Sequence, residues 1–411
     1  MGSMSQARAP QPTLRDSMRA MPRTAWTLFL GAFVNRLGTF VLPFLTLYLT
    51  ARGYSAPQAG LGIAAYGMGA IASQGFGGTL ADRLGRRNTI AFSMFTGAAL
   101  TVLLPEVNGL PAILGVVALL GLMAEIYRPA ASALLADVVD SEHRVASFTL
   151  QRLAVNLGWA IGLALGGALA DHSGFRLLFW ADALTSASFG VIALVALPHG
   201  TRSTKREDRA AGGGALTFIR ADRGFLLFLV AIFLIAIIFM QNATTFPLQI
   251  IALGYSKGIY GLLLGFNGAL IFLLELAVTS QTQRRDRLRM VALGGMLYGV
   301  GFGALLFAHS LPLLMGMTVV WTFGEMIESP NASAFVADRA PDHLRGRYQA
   351  AFGSMFAFAA VIGPIVGTLV FHVSPNAVWI GCAGLGILAA MTALAAHRVP
   401  VPSIRPSAPA S

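Results

Sequence analysis

The chain has 411 residues, of which 55% are hydrophobic and 11% charged. A soluble domain carries about 25% charged residues, so this composition cannot cover a water-facing surface, and lipid must solvate most of the chain. The net charge of +11 does not point to nucleic acid, because the basic residues sit in short segments between long apolar runs.

In chain order, Met1-Gly2-Ser3 reads as an added lead before a natural start at Met4. Residues 1–24 form a polar tail with Pro10, Pro12, Arg15 and Arg19, and no cleavable leader is expected. A spanning helix needs about 20 predominantly apolar residues. Twelve such runs follow, at 25–50, 58–81, 88–105, 111–135, 147–170, 175–197, 224–250, 257–280, 288–308, 311–336, 348–372 and 376–397. Most links are short and carry turn signals such as Asn108-Gly109 and Ser374-Pro375. The longest, 198–223, holds Arg202, Lys205, Arg206, Arg209 and Gly212-Gly213-Gly214, which makes it a flexible basic linker. The expected fold is an all-α membrane protein with twelve transmembrane helices. Residues 25–197 and 224–397 would form two six-helix bundles, with 398–411 as a second tail.

Lys and Arg fall mostly in the even-numbered gaps: Arg83, Arg86 and Arg87; Arg144; the linker; Arg284, Arg285, Arg287 and Arg289; and Arg339, Arg345 and Arg347. Odd-numbered gaps hold little beyond Arg52, Arg176 and Lys257. Positive loops stay inside, so both termini and the linker are expected in the cytoplasm, with the chain multi-pass in a bacterial inner membrane. For most of these arginines topology and lipid headgroups are a sufficient reason.

An internal repeat runs at one offset of 201 residues. Gly53-Tyr54-Ser55 recurs as Gly254-Tyr255-Ser256, and Arg83 and Arg86 recur as Arg284 and Arg287. Pro129 to Asp137 recurs as Pro330 to Asp338, and Gly162 and Gly166 recur as Gly363 and Gly367. Several separate places in one register are hard to attribute to apolar composition. Two sets of six spans in the same direction make a parallel repeat about an axis along the membrane normal.

The first inside hairpin reads Gly78-Thr79-Leu80-Ala81-Asp82-Arg83-Leu84-Gly85-Arg86-Arg87. It resembles the G-x-L-a-D-r-x-G-r-r/k signature between the second and third helices of major facilitator proteins. That resemblance implies a cytoplasmic latch between the halves, with Asp82 pairing to the start of the eleventh span. Arg83 or Arg86 would pair with an acid such as Asp137. Gly78 and Gly85 would allow close approach and a tight turn. The second copy departs from the signature, with Gln283 for Asp82 and Asp286 for Gly85.

The fifth span holds Gly158, Gly162, Gly166 and Gly167. Small residues every fourth position let helices pack closely. The pattern also resembles the G-x-x-x-G-P-x-x-G-G run of the twelve-helix drug/proton antiporters, although Leu163 stands in for the proline and Thr149 for an upstream glycine.

Ionisable groups deep in a membrane cost at least about 2.5–3.5 kcal/mol each and are functional candidates by default. They are Arg36 on the first span, Glu125 and Arg128 on the fourth, Asp182 on the sixth, Glu275 on the eighth, and Glu325 and Glu328 on the tenth. Two readings stay open. In one, the charges satisfy each other, Arg36 with Glu125 and Arg128 with a nearby acid. In the other, Glu325 and Glu328 crowd on one helix face and exchange a proton. A cationic first half and an anionic second half would then hold a zwitterionic solute. Asn35, Gln241, Asn242, Thr244 and Thr245 add hydrogen-bonding groups, and Phe33, Phe40, Phe239 and Met240 could line an apolar cavity.

There is no G-x-x-x-x-G-K-[ST] loop, no H-E-x-x-H run or cysteine cluster (Cys382 is alone), and no G-x-S-x-G elbow. Neither an enzyme nor a cofactor or metal is expected. The expected function is proton-coupled efflux of a small amphipathic or zwitterionic molecule by alternating access. The alternative is proton-coupled uptake or exchange of a sugar, amino acid or short peptide. Expected partners are the substrate, protons and lipid, with the chain a monomer that binds no nucleic acid.

Overall fold

A computed structural model describes residues 14–140, 142–198, 219–341 and 344–400, apart from the side chains of 14, 15, 74–79, 81, 82 and 145. Helices occupy all twelve predicted segments. They are α1 (Arg23–Ala51), α2 (Ala56–Leu84), α3 (Arg86–Glu106), α4 (Leu110–Val138), α5 (Arg144–His172) and α6 (Gly174–Ala196). The second set is α7 (Arg223–Met240 with Thr245–Ala252), α8 (Lys257–Thr282), α9 (Arg287–Phe307), α10 (Leu311–Arg339), α11 (Arg345–Val373) and α12 (Pro375–His397). Among the described residues, ten helices are long and apolar enough to cross a membrane. The other two, α2 and α10, are 29 residues each and more polar; α2 packs on α4 and α11, and α10 on α8 and α9. Large apolar side chains such as Leu184, Val195, Leu273 and Val373 are turned outward, as a lipid-facing surface requires.

The 201-residue repeat sets the helix limits. Arg86 and Arg287 open equivalent helices, as do Leu110 and Leu311, Arg144 and Arg345, and Gly174 and Pro375. Val138 and Arg339 close equivalent helices, as do His172 and Val373, and Ala196 and His397. The turn glycines match as well: Gly53 has φ 86° and Gly254 φ 84°, a backbone region that favours glycine.

Two spans expected to be continuous are interrupted. The first breaks after Leu37 and resumes at Val41; the seventh breaks after Met240 and resumes at Thr245. The physical reason lies just downstream, at Pro43 and Pro247. A proline has no N–H to donate, and its ring clashes with the carbonyl four residues earlier, here at Thr39 and Ala243. The freed groups find partners. Asp182 of α6 accepts hydrogen bonds from the Phe40 and Val41 amides at 2.9 and 3.1 Å, capping the second piece of α1. In α7, Gln241 donates to the Ile237 carbonyl at 2.9 Å and accepts from the Thr244 and Thr245 hydroxyls. These bonds remove the cost of backbone groups left bare in hydrocarbon.

The halves of the chain meet along two seams, α5 on α8 and α2 on α11. A Cβ placed on Gly167 would stand 2.9 Å from Gly261 Cα, and one on Gly268 would stand 3.0 Å from Ala160 Cα. One placed on Gly67 would stand 2.8 Å from the Ala360 carbonyl oxygen. On the face away from the arginine-rich loops the contact is tight. Asp171 of α5 accepts from the Lys257 and Gly258 amides at 3.0 and 2.7 Å, capping α8. The Tyr260 hydroxyl donates to the Pro43 and Asn242 carbonyls, and Thr46 donates to the Ala243 carbonyl at 2.7 Å.

A buried ionic staple stands at the arginine-rich end of α7. Asp222 caps the helix by accepting from the Phe225 amide at 3.0 Å, accepts two hydrogen bonds from Arg339 of α10, and takes a third partner in the Tyr348 hydroxyl of α11. Burial alone would raise the Asp222 carboxyl, but these donors outweigh it and hold the group below its ordinary value.

Candidate functional site

The candidate site lies about halfway along the helices, on α1, α4, α5, α8 and α10. Arg36, Glu125 and Glu325 are each 13 to 15 residues from the end of their helix, about 20 Å at 1.5 Å per residue. They are therefore near the middle of a bilayer.

On α4, Glu125 and Arg128 pair with each other at 3.1 Å, as their i, i+3 spacing allows. The pair of Arg36 with Glu125 that one of the two open readings proposes does not form among the described residues. Arg36 instead stands 5.9 Å from the Trp159 ring of α5, and its buried Nε has no hydrogen-bond partner among the described residues. Two cavities flank it. One of about 60 Å³, lined in part by Asn35, Arg36, Glu125 and Asp182, has room for about two waters. The other, of about 270 Å³, lies between α1, α4 and α5 on the arginine-rich side.

Asn35 is buried and donates to the Ser186 hydroxyl at 3.1 Å and weakly to Met94 Sδ. Gln241 is occupied in stitching α7, and so belongs to the frame of the break. Asn242 leaves its Oδ1 buried without a partner. Asp182 is the deep acid hardest to explain from sequence; the interrupted α1 supplies the reason.

In the second half, Glu275 of α8 forms an ion pair with Arg152 of α5. This pair joins the two halves. Arg152 lies 8 residues into α5 and Glu275 lies 7 residues from the end of α8, about 10–12 Å in from the arginine-rich face. Glu325 accepts from Asn267 of α8 at 3.3 Å, and Asn267 also donates to Thr322. Glu328 turns to the other side, against Gly294 of α9, with Oε1 buried and unpartnered. The two glutamates therefore face different neighbours, Glu325 the α8 seam and Glu328 the α9 packing layer.

Sequence reasoning misses Arg152. It stands only five residues inside the run expected at 147–170, where it resembles the loop arginines. Its signal is the lone acid Glu275, deep in α8 with no cation within a helical turn on its own helix.

Gly158, Gly162 and Gly166 of α5 serve α1, while Gly167 serves α8. A Cβ on Gly158 would meet the Phe33 carbonyl oxygen at 2.9 Å, and one on Gly162 the Leu37 carbonyl oxygen at 2.5 Å. Gly363 of α11 holds Met240 beside the α7 break in the same register. The glycine pattern thus lets a neighbour lie close to each broken helix.

At the hairpin, Gly85 has φ 83°, the expected tight turn. Arg86 pairs with Asp137 and also donates to the Ala133 carbonyl at 2.8 Å. The second copy repeats this, with Arg287 3.5 Å from Asp338. Arg83 is exposed. The side chains of Gly78 and Asp82 lie outside the described residues.

A family model, that of the Major Facilitator Superfamily, matches residues 28–278 and 243–411. The chain belongs to this superfamily. Among its members, an uncharacterized MFS-type transporter YqjV of Bacillus subtilis is 29% identical, over 84% of this chain and 85% of its own length. The Na(+), Li(+), K(+)/H(+) antiporter of Planococcus maritimus is 26% identical, over 81% and 86%. The quinolone resistance protein NorA of Staphylococcus aureus is 25% identical over 45% of this chain and 47% of its own. In solved structures, the nucleoside transporter NupG superposes with a TM-score of 0.76 at 16% identity, over 92% of this chain and 100% of that one. At that identity the likeness speaks for the fold alone. The protein is a multi-pass membrane transporter of this superfamily.

Proposed function

We propose that this transporter exports a small amphipathic or zwitterionic molecule in exchange for protons, by alternating access of its central polar layer. The observation that carries the reading is the charge division across the α5–α8 seam. Among the described residues the deep cations, Arg36, Arg128 and Arg152, stand on the first half, whose acids Glu125 and Asp182 are taken up by Arg128 and by backbone amides; the deep groups Glu275, Glu325 and Glu328 of the second half are all acids, and one ion pair, Arg152–Glu275, bridges the halves. Such a bridge has to break for the halves to separate there, and protonation of the acid is the least costly way to break it. Glu325, which among the described residues is held by the Asn267 amide alone, is the second proton candidate. The antiporter and resistance protein among the relatives support exchange and export.

In this reading the two halves, 25–197 and 224–397, move as bodies about the seams. The arginine-rich face is cytoplasmic, as are both termini, and the chain works as a monomer in the bacterial inner membrane. The structure then corresponds to a state closed on the outside, where Tyr260, Thr46 and Asp171 tie the halves together. The alternative, proton-coupled uptake or exchange of a polar metabolite, draws on the same dense interior charge.

The test is purified protein in liposomes with an imposed pH gradient and candidate solutes supplied on either side. Solute movement opposite to protons is expected, and movement with them would select the alternative. Glu275→Gln and Glu325→Gln should each reduce pH-driven flux to background while leaving solute binding measurable. Full pH-driven flux in both variants would sink the proton assignment.

A further inference from the structure

The cavity of about 270 Å³ between α1, α4 and α5 is lined by Arg36, Arg128 and Arg152, with Gln151 and Ser132 as neutral polar groups and Phe148 as an apolar wall; among the described residues no carboxylate lines it. Three guanidiniums thus share one cavity wall, two of them half-exposed to it, and their like charges leave the cavity with a positive field. Two are already answered, Arg128 by Glu125 and Arg152 by Glu275. The third is not. Among the described residues Arg36 has no ion-pair partner, and its buried Nε is unsatisfied. Asp182, which lines the smaller cavity on the other side of Arg36, is taken up by the Phe40 and Val41 amides. A guanidinium deep in the protein without a counter-charge is costly, and one that lines an open cavity marks a place where a ligand can supply the missing anion.

We propose that this cavity is an anion subsite, and that the transported molecule is an organic carboxylate anchored by Arg36. The planar guanidinium fork matches a carboxylate in two parallel hydrogen bonds. Arg36 takes the anion first, because it is the cation of the three with no acid on it; Arg128 supplies a second charge once Glu125 yields. The volume suits a carboxylate on one ring or a short chain, below the size of drug-sized pockets. Phe148, Tyr127 and Val155 in the wall favour an apolar or aromatic body next to the charge. A cationic group on the same molecule would extend toward Glu325. This names the substrate class within the carrier reading above and rests on it.

The experiment is binding to purified wild-type protein in detergent, by thermal shift and calorimetry at fixed pH. The probes are benzoate, 4-(aminomethyl)benzoate and their carboxamides. The carboxylates should bind at least about tenfold tighter than the amides. Arg36→Gln should erase that preference, Arg36→Lys should restore part of it, and Arg128→Gln should weaken it. The acid–amide comparison in wild type stands even if a variant fails to fold. Equal binding of acid and amide, or an unchanged preference in a folded Arg36→Gln protein, would overturn the proposal. A lipid phosphate presents related chemistry, so the titration is repeated in nanodiscs of zwitterionic lipid with and without phosphatidylglycerol. Carboxylate binding that survives the anionic lipid supports a substrate site, whereas its abolition would reassign the cavity to headgroups and sink the proposal. Carboxylate binding without proton-driven flux would fault the exchange mechanism and leave this subsite standing. Proton-driven flux of cations alone, without carboxylate binding, would do the reverse.

Discussion

The first and second halves of this chain share a frame and differ in what they put inside it. Most helix limits, the turn glycines Gly53 and Gly254, the internal prolines Pro129 and Pro330, and the Arg–Asp pair at the hairpin recur at 201 residues. The deep charges do not. Glu325 and Glu328 stand opposite Ala124 and Tyr127, Arg152 opposite Gly353, and Glu275 opposite Gln74. A duplicated scaffold keeps its turns and close contacts because both copies must fold alike. Its interior diverges because a solute between the halves meets each copy from a different side.

The staple at α7 gives the sharpest way to break this comparison. At the places of Asp222 and Arg339 the first half has Met21 and Val138, which pack in an apolar cluster with Leu134 and Leu135. One frame position is thus filled by ions in one copy and by hydrocarbon in the other. Asp222→Asn should destabilise the protein by about 3–5 kcal/mol, because it strands the Arg339 charge. The double change Asp222→Met with Arg339→Val, which copies the first half, should cost less than either single change. Denaturation in mild detergent measures both, and a double variant worse than the sum of the singles would deny the equivalence. Because the Asp222 carboxyl is depressed on folding, its contribution is complete above the ordinary carboxylate value near about 4. It is lost as pH falls below that, through the folded value. A melting temperature that drops in this acid window in wild type, and less so in the double variant, is the expected profile.

A smaller effect is expected at the two helix breaks. The α1 break depends on a carboxylate from another helix, whereas the α7 break is stitched by its own Gln241. Asp182→Ala should therefore cost about 1–2 kcal/mol, the range for a lost cap, and should speed amide exchange at Phe40 and Val41. Unaltered exchange there would mean that the cap is dispensable.

The smallest effect is expected at the hairpin copies. Asp338 is well exposed and its pair with Arg287 is long, so Asp338→Asn should change stability by less than about 1 kcal/mol. Asp137→Asn should cost more, because Arg86 is largely buried. Equal melting temperatures for the two variants would remove the distinction between the hairpins.

The frame is legible in the sequence for a physical reason: lipid imposes length and apolarity on each span, and a duplication repeats them. Arg86–Asp137 is legible through the resemblance of the hairpin, which implies an acid such as Asp137 at the end of the fourth span as partner for Arg83 or Arg86. The interruptions at Gly38 and Gln241 are not, because a run of apolar residues reads as continuous and the prolines act four residues upstream of themselves. The pairing of Arg152 with Glu275 is hidden too, since it depends on how one half lies against the other, which no local pattern encodes. The same holds for Glu325 and Glu328: a shared face on the helical wheel does not say that α8 and α9 divide it.

Where Gly167 meets Gly261, main chain rests on main chain with no side chain projecting from either helix. Interlocked side chains must be pulled out of their slots before two helices can turn against each other, but a smooth contact has nothing to unlatch. The α5–α8 crossing is therefore built like a bearing, and a methyl group added to either glycine would act as grit in it.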